Sequence, residues 1–105
     1  MSDPLVLALI AEAAPRAALA AGFEEEGVPL TIEIAEGAPQ ALAREAATQA
    51  ALGLGLGGDA ERLILVLAAA SGRPYLESSA SEARSFAQNA ARVAARRPLR
   101  ATRKR

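Results

Sequence analysis

Three adjacent carboxylates, Glu24, Glu25 and Glu26, form the densest run of chemically active side chains in this 105-residue chain. Carboxylate oxygens are hard ligands that suit Mg²⁺ or Ca²⁺. The triplet falls in the last turn of a predicted helix, where the macrodipole is negative. Each charge therefore sits at the unfavourable end, at roughly 0.3–1 kcal/mol at low salt, and mutual repulsion adds to that. At about 100° per residue, Leu19 and Phe23 on the core put Glu24 and Glu26 on the flanks and turn Glu25 away from the core. This reading leaves Glu25 free to meet a cation or a partner, although one carboxylate cannot chelate an ion alone.

The chain has no His and no Cys. These absences remove Ser-His and Cys-His nucleophile pairs and the commonest general base near neutral pH. They also remove the usual zinc ligands and any disulfide framework. No catalytic residue is assigned. Ser78, Ser79, Ser81 and Ser85 have no base to activate them and read as helix-capping residues. Tyr75 reads as a strand residue that packs its ring and wets its hydroxyl.

The glycine string Gly53, Gly55, Gly57, Gly58 invites comparison with a phosphate loop. Such a loop must lead into a helix N-terminus. Here it leads into another strand with no Lys-Ser/Thr after it, and alternating strand glycines point to close packing or a bulge. The basic run Arg96-Arg97, Arg100 and Arg103-Lys104-Arg105 has no interleaved aromatics, and residues 101–105 read as a solvated tail.

The elements that would position these residues follow from hydrophobic periodicity. Leu5–Ile10 is a continuous apolar run, expected as a central strand buried on both faces. A helix is expected over Ala11–Glu26, its regular part beginning near Ala14 because Pro15 fits only the first turn, with Gly27 at C′. Val28–Ala35 alternates through Leu30, Ile32 and Ile34 as a second strand. Pro39 opens a helix to about Ala51, with Leu42 and Ala46 inward. Leu52–Gly57 is a third strand, Gly57-Gly58-Asp59 a turn, and Arg62–Ala69 a fourth strand antiparallel to the third. Ser71-Gly72-Arg73-Pro74 is a turn and Tyr75–Ser78 a fifth strand. Ser79 and Glu82 fit a capping box opening a helix to about Arg97, with the stripe Ala83, Phe86, Ala87, Ala90, Val93, Ala94. Pro98 ends it. The order βαβαβββα predicts a mixed sheet flanked by helices, an α/β sandwich, with residues 1–100 as one domain.

Half the residues are apolar but only 3% are aromatic, so the core must be built from Leu, Ile, Val and Ala. Residues 1–61 carry a net −8 and residues 62–105 a net +8, an asymmetry suited to orienting a docking partner. A neutral total argues against general nucleic-acid binding. Apolar runs stay under about ten residues against the roughly 20 a membrane span needs. The run Leu5–Ile10 is preceded by Asp3 rather than by Lys or Arg, unlike a signal peptide. The expected compartment is the cytoplasm.

Gly22-Phe23-Glu24-Glu25-Glu26-Gly27-Val28-Pro29-Leu30 resembles the Gly-aliphatic-Glu-Glu-Glu-Gly-Ile-Pro-Phe segment of diol and glycerol dehydratase reactivase small subunits. Asn89-Ala90-Ala91-Arg92 followed by Pro98-Leu99-Arg100 is similar to that family's closing Asn-Ala-Ala-Arg and Pro-Phe-Arg. The resemblance spans nearly the whole chain. It implies a three-layer α/β/α sandwich, anticodon-binding-domain-like, with a five-stranded mixed sheet of order 2-1-3-4-5 and strand four antiparallel.

It further implies a non-catalytic small subunit of an ATP-dependent, chaperone-like reactivase that releases damaged cobalamin from diol or glycerol dehydratase. The ATPase is then the large partner subunit, in an α2β2 heterotetramer. The small chain, which resembles the dehydratase medium subunit, acts as its exchangeable placeholder and binds neither cobalamin nor nucleotide alone. Glu24, Glu25, Glu26, Asn89 and Arg92 are implied at the partner interface, with Glu25 completing a divalent-cation site (Mg²⁺ or Ca²⁺) shared with the large subunit. Two other readings stand beside this one. The first is the structural medium subunit of the dehydratase, whose longer leading sequence contrasts with a first strand beginning near residue 4. The second is a free-standing adaptor or nucleic-acid-binding module using the basic tail. The sequence leaves association with a bacterial microcompartment open.

Overall fold

A computed structural model describes residues 3–70 and 73–96. Its strands are β1 (Val6–Ile10), β2 (Thr31–Ile34), β3 (Leu54–Gly58), β4 (Arg62–Leu67) and β5 (Pro74–Ser79). Its α-helices are α1 (Arg16–Glu25), α2 (Pro39–Gln49) and α3 (Ala83–Ala94). One sheet runs in the order β2-β1-β3-β4-β5. β1 is parallel to β2 and β3, and β4 is antiparallel to both neighbours. The expected mixed five-stranded sheet is therefore present.

The chain winds first from β1 outward to β2, then back across β1 to β3. Because crossovers between parallel strands keep one hand, this reversal sends α1 and α2 to opposite faces. Val6, Ala8, Ile10, Leu54, Leu56, Leu63 and Leu65 pack against Leu19 and Phe23 of α1 and against Phe86, Ala87 and Ala90 of α3. On the other face Leu7 and Leu9 meet Leu42 and Ala46 of α2, and Ile64 and Val66 meet Ala43 and Ala47. β1, central and apolar throughout, is buried along its whole length.

The glycine string is a packing device. A Cβ on Gly55 would lie 2.1 Å from the backbone nitrogen of Ala47, and one on Gly57 would lie 2.1 Å from the carbonyl oxygen of Pro39. The backbone of α2 thus rests directly on β3, in the space a phosphate would need.

Several boundaries differ from the sequence reading. β1 begins at Val6, since Leu5 lies exposed at the sheet end. β2 is only Thr31–Ile34, and Ile34 is 52% exposed because it sits on an edge strand. β3 starts at Leu54 and includes Gly58, which pairs with Leu63. The hairpin turn is made instead by Asp59, whose Oδ1 accepts the backbone N–H groups of Glu61 and Arg62 at 2.8 Å each. α1 begins at Arg16, one residue after Pro15. The Ser79–Glu82 capping box does not form. Ser79 ends β5, a 3₁₀ turn Ala80–Glu82 intervenes, and no side-chain capping bond is made there. α3 ends at Ala94, and Arg96 takes a left-handed φ of 59°. The Ser71-Gly72 part of the predicted turn, the Pro98 stop and the tail lie outside the described residues.

Candidate functional site

The Glu triplet closes α1. The helix ends in a Schellman arrangement, with Gly27 N–H donating to the Glu24 carbonyl at 3.0 Å and Val28 N–H to the Phe23 carbonyl at 3.1 Å. That geometry needs a left-handed residue, and Gly27 supplies it with φ 73°. Glu24 is left exposed on the surface. Glu25 and Glu26 instead face α3.

What brings α3 so close is Gly22. A Cβ there would lie 2.5 Å from that of Ala87 and 2.8 Å from the Arg84 carbonyl oxygen, so the two helices approach almost backbone to backbone. Leu19, Gly22 and Phe23 form the buried side of α1. Along α3, Arg84, Gln88 and Arg92 recur every fourth residue and form one ridge on the helix surface. Glu25 Oε2 accepts from Arg84 Nη2, and Glu25 Oε1 accepts from Gln88 Nε2 at 2.6 Å. Glu26 Oε2 accepts from Nε of Arg92 at 3.2 Å and forms an ion pair with its Nη2 at the same distance. The Glu25 carboxylate beside it holds the Arg84 guanidinium above its ordinary pKa, through a hydrogen bond first and Coulomb attraction second.

Two expectations are corrected here. Glu25 is exposed, as the helix wheel has it, yet not free, because α3 lies beside α1 on the same sheet face and brings Arg84 and Gln88 to it. Glu26 is not on an exposed flank. It sits at the C-cap, where the helical angle no longer applies, and is 9% exposed. Two of the triplet's three carboxylates, Glu25 and Glu26, thus have guanidinium partners within the chain. Arg84 was absent from the sequence-based site, yet its four-residue spacing to Gln88 and Arg92 was a readable signal.

Among the described residues no three His, Cys, Asp or Glu side chains converge to hold a metal. Carboxylate oxygens remain the hard donors this surface offers. The Glu25 carboxylate adjoins the Gln88 amide, which donates its Nε2 to it. A positive group, Arg84, already occupies the place.

Compared with known families, residues 4–100 match the family described as dehydratase medium subunit. The chain belongs to this family. No curated protein matches it by sequence. Solved structures that share its fold include two reactivase structures. The first is the structure of diol dehydratase-reactivating factor complexed with ADP and Mg²⁺, at 24% identity and TM-score 0.81, covering 96% of this chain and 100% of that one. The second, glycerol dehydratase reactivase, has 24% identity and TM-score 0.82, with 94% and 97% covered.

In this dehydratase medium subunit family member the remaining expected residues lie apart from the Glu25 pair. Asn89 lines an open groove of about 390 Å³ between β5 and α3, with Leu76, Ser78, Ser85 and Phe86. Arg92 is turned inward to Glu26. Beside Glu24 lies a second groove of about 330 Å³, lined by Phe23, Val28, Pro29 and Leu30. No described helix is long and apolar enough to cross a membrane.

Proposed function

We propose that this chain is the non-catalytic small subunit of a cytoplasmic, ATP-dependent reactivase that releases damaged cobalamin from diol or glycerol dehydratase. It holds, on the large ATPase subunit, the place that the dehydratase medium subunit takes during exchange. The observation that carries this reading is a double likeness. The sequence falls in the medium subunit family, while the fold covers reactivase chains over 97–100% of their length. That family also takes in reactivase small subunits, so sequence and fold agree on a chain built like the medium subunit, as a chain that holds its place must be. In the same reading the chain binds neither cobalamin nor nucleotide by itself, and the complex is α2β2.

Glu24, Glu25, Glu26, Asn89 and Arg92 belong to the proposed subunit boundary, with Glu25 giving one oxygen ligand to a Mg²⁺ or Ca²⁺ ion held jointly with the large subunit. Support for the ion comes from the exposed rim position of Glu25 and the hardness of its carboxylate oxygens. The Mg²⁺ in the similar reactivating-factor structure agrees with it.

Co-purification with the large subunit tests the function. The expected result is a stable complex from which dehydratase carrying inactivated cobalamin displaces this chain. Failure to bind the large subunit, with stable incorporation into the dehydratase instead, would favour the structural medium subunit that the family description names. Glu25→Gln should weaken the complex and its dependence on divalent ions, whereas Glu24→Gln should do much less.

A further inference from the structure

We propose that residues 97–100 are an intramolecular strap that leaves the end of α3, crosses the end of α1 and seats Leu99 in the groove beside Glu24. The docking belongs to this chain alone and needs neither an ion nor a partner subunit.

The groove asks for a particular occupant. It holds about 330 Å³, with the buried ring of Phe23 as its floor and Val28, Pro29 and Leu30 as its wall. Ala20 and Glu24, one turn apart, line it on the side of α1 turned away from the Gly22–Ala87 contact. Glu24 is exposed on its rim and has no hydrogen bond or ion pair among the described residues. Glu25 and Glu26, by contrast, have Arg84 and Arg92. A fitting occupant brings one apolar side chain with a cation beside it.

α3 delivers the chain close to this groove. Arg96 follows Arg92 by four residues and so continues the ridge that faces α1, and Arg92 already touches Glu26. Val93 and Ala94 pack on the same core cluster as Val28 and Leu30. Beyond the helix, Arg96 is left-handed with φ 59°. A residue with a Cβ is disfavoured there, and Gly or Asn is the usual choice. Such a conformation persists where its surroundings hold it.

The residues that follow are Arg97-Pro98-Leu99-Arg100. Proline fixes its own φ and biases Arg97 toward an extended backbone, so docking costs this segment little conformational freedom. Three extended residues span about 10 Å, roughly the width of a helix with its side chains. That is the crossing from the Glu26 side of α1 to the groove. Leu99 is the only large apolar residue after Val93, and Arg97 and Arg100 set cations on either side of it for Glu24. The match to the medium subunit family extends through residue 100, which counts the segment with the domain and leaves residues 101–105 outside it.

The chain has no Trp, so Leu99→Trp in the full chain gives a single reporter. The expected emission is blue-shifted and shielded from iodide, at every protein concentration tested, and moves to that of solvated Trp in urea. Adding Glu24→Lys should lower the docked share, with a docking constant roughly two- to fivefold weaker, the weight of an exposed ion pair. A measurement that leaves Leu99 in place follows the Val28 and Leu30 methyl resonances. They should move when the chain is cut after Arg96 and stay when it is cut after Arg100. Solvent-like Trp emission together with unmoved methyls would overturn the strap. A blue shift that grows with protein concentration would assign the groove to a second copy, and one that arises only on adding the large subunit would assign it to that partner; either overturns the intramolecular docking.

Discussion

Glu26 and Arg92 meet across the α1–α3 seam, with both Nε and Nη2 of the guanidinium 3.2 Å from one carboxylate oxygen. Glu26 is 9% exposed and Arg92 stands in the last turn of α3, where a cation also favours the helix dipole. This pair ties the end of one helix to the end of another.

Arg92→Met should therefore destabilise the fold by about 1–3 kcal/mol, because it takes a guanidinium away from a nearly buried carboxylate. Glu26→Gln alone should cost less, and the double variant should recover part of the Arg92→Met loss. Urea unfolding of the four proteins gives the coupling energy directly. A coupling near zero would mean that the seam is held by apolar packing alone.

Gly22→Ala should cost roughly 1–3 kcal/mol, the usual range for overpacking, since the new methyl would lie 2.5 Å from Ala87 Cβ. Adding Ala87→Gly should relieve only part of this, as the Arg84 carbonyl oxygen remains 2.8 Å away. Thermal melts of the single and double variants check both statements.

Gly57→Ala should be more severe, because the obstruction at 2.1 Å is helix backbone that cannot rotate away. A soluble, fully folded Gly57→Ala protein by circular dichroism would contradict the packing described for β3 and α2. For the same reason the isolated chain should bind no ATP, which calorimetry with Mg·ATP can verify.

Acid should weaken the β3–β4 hairpin. The N–H groups of Arg62 and Glu61 hold the Asp59 carboxyl below its ordinary pKa. A group whose pKa is depressed in the folded state contributes stability above its unfolded value, about 4, and that contribution is lost as the pH falls through the lower folded value. Asp59→Asn keeps an oxygen acceptor, so it should melt close to wild type near neutral pH and show a shallower fall in Tm below about pH 4. Equal slopes for the two proteins would remove Asp59 from the acid response.

Periodicity and punctuation alone determined most of the fold. A six-residue apolar run made β1 a buried strand, Pro39 opened α2, Gly27 closed α1, and the short hairpin connection forced β4 antiparallel. These are local effects of backbone sterics and side-chain polarity, and they act within a few residues. The alternation of Gly55 and Gly57 already spoke for close packing against phosphate binding, because no helix N-terminus follows it. What only the tertiary structure decided is which side of a helix is covered and by what. A helix wheel gives directions around one axis, so it turned Glu25 outward, where it is exposed, but could not show what lies beside it. The sheet instead sets α3 beside α1, and Gly22 lets them touch, so Glu25 meets Arg84 and Glu26 meets Arg92. Contacts between residues about sixty positions apart depend on chain winding and on the volume of a single side chain at the crossing, and neither quantity is written in any local window of sequence.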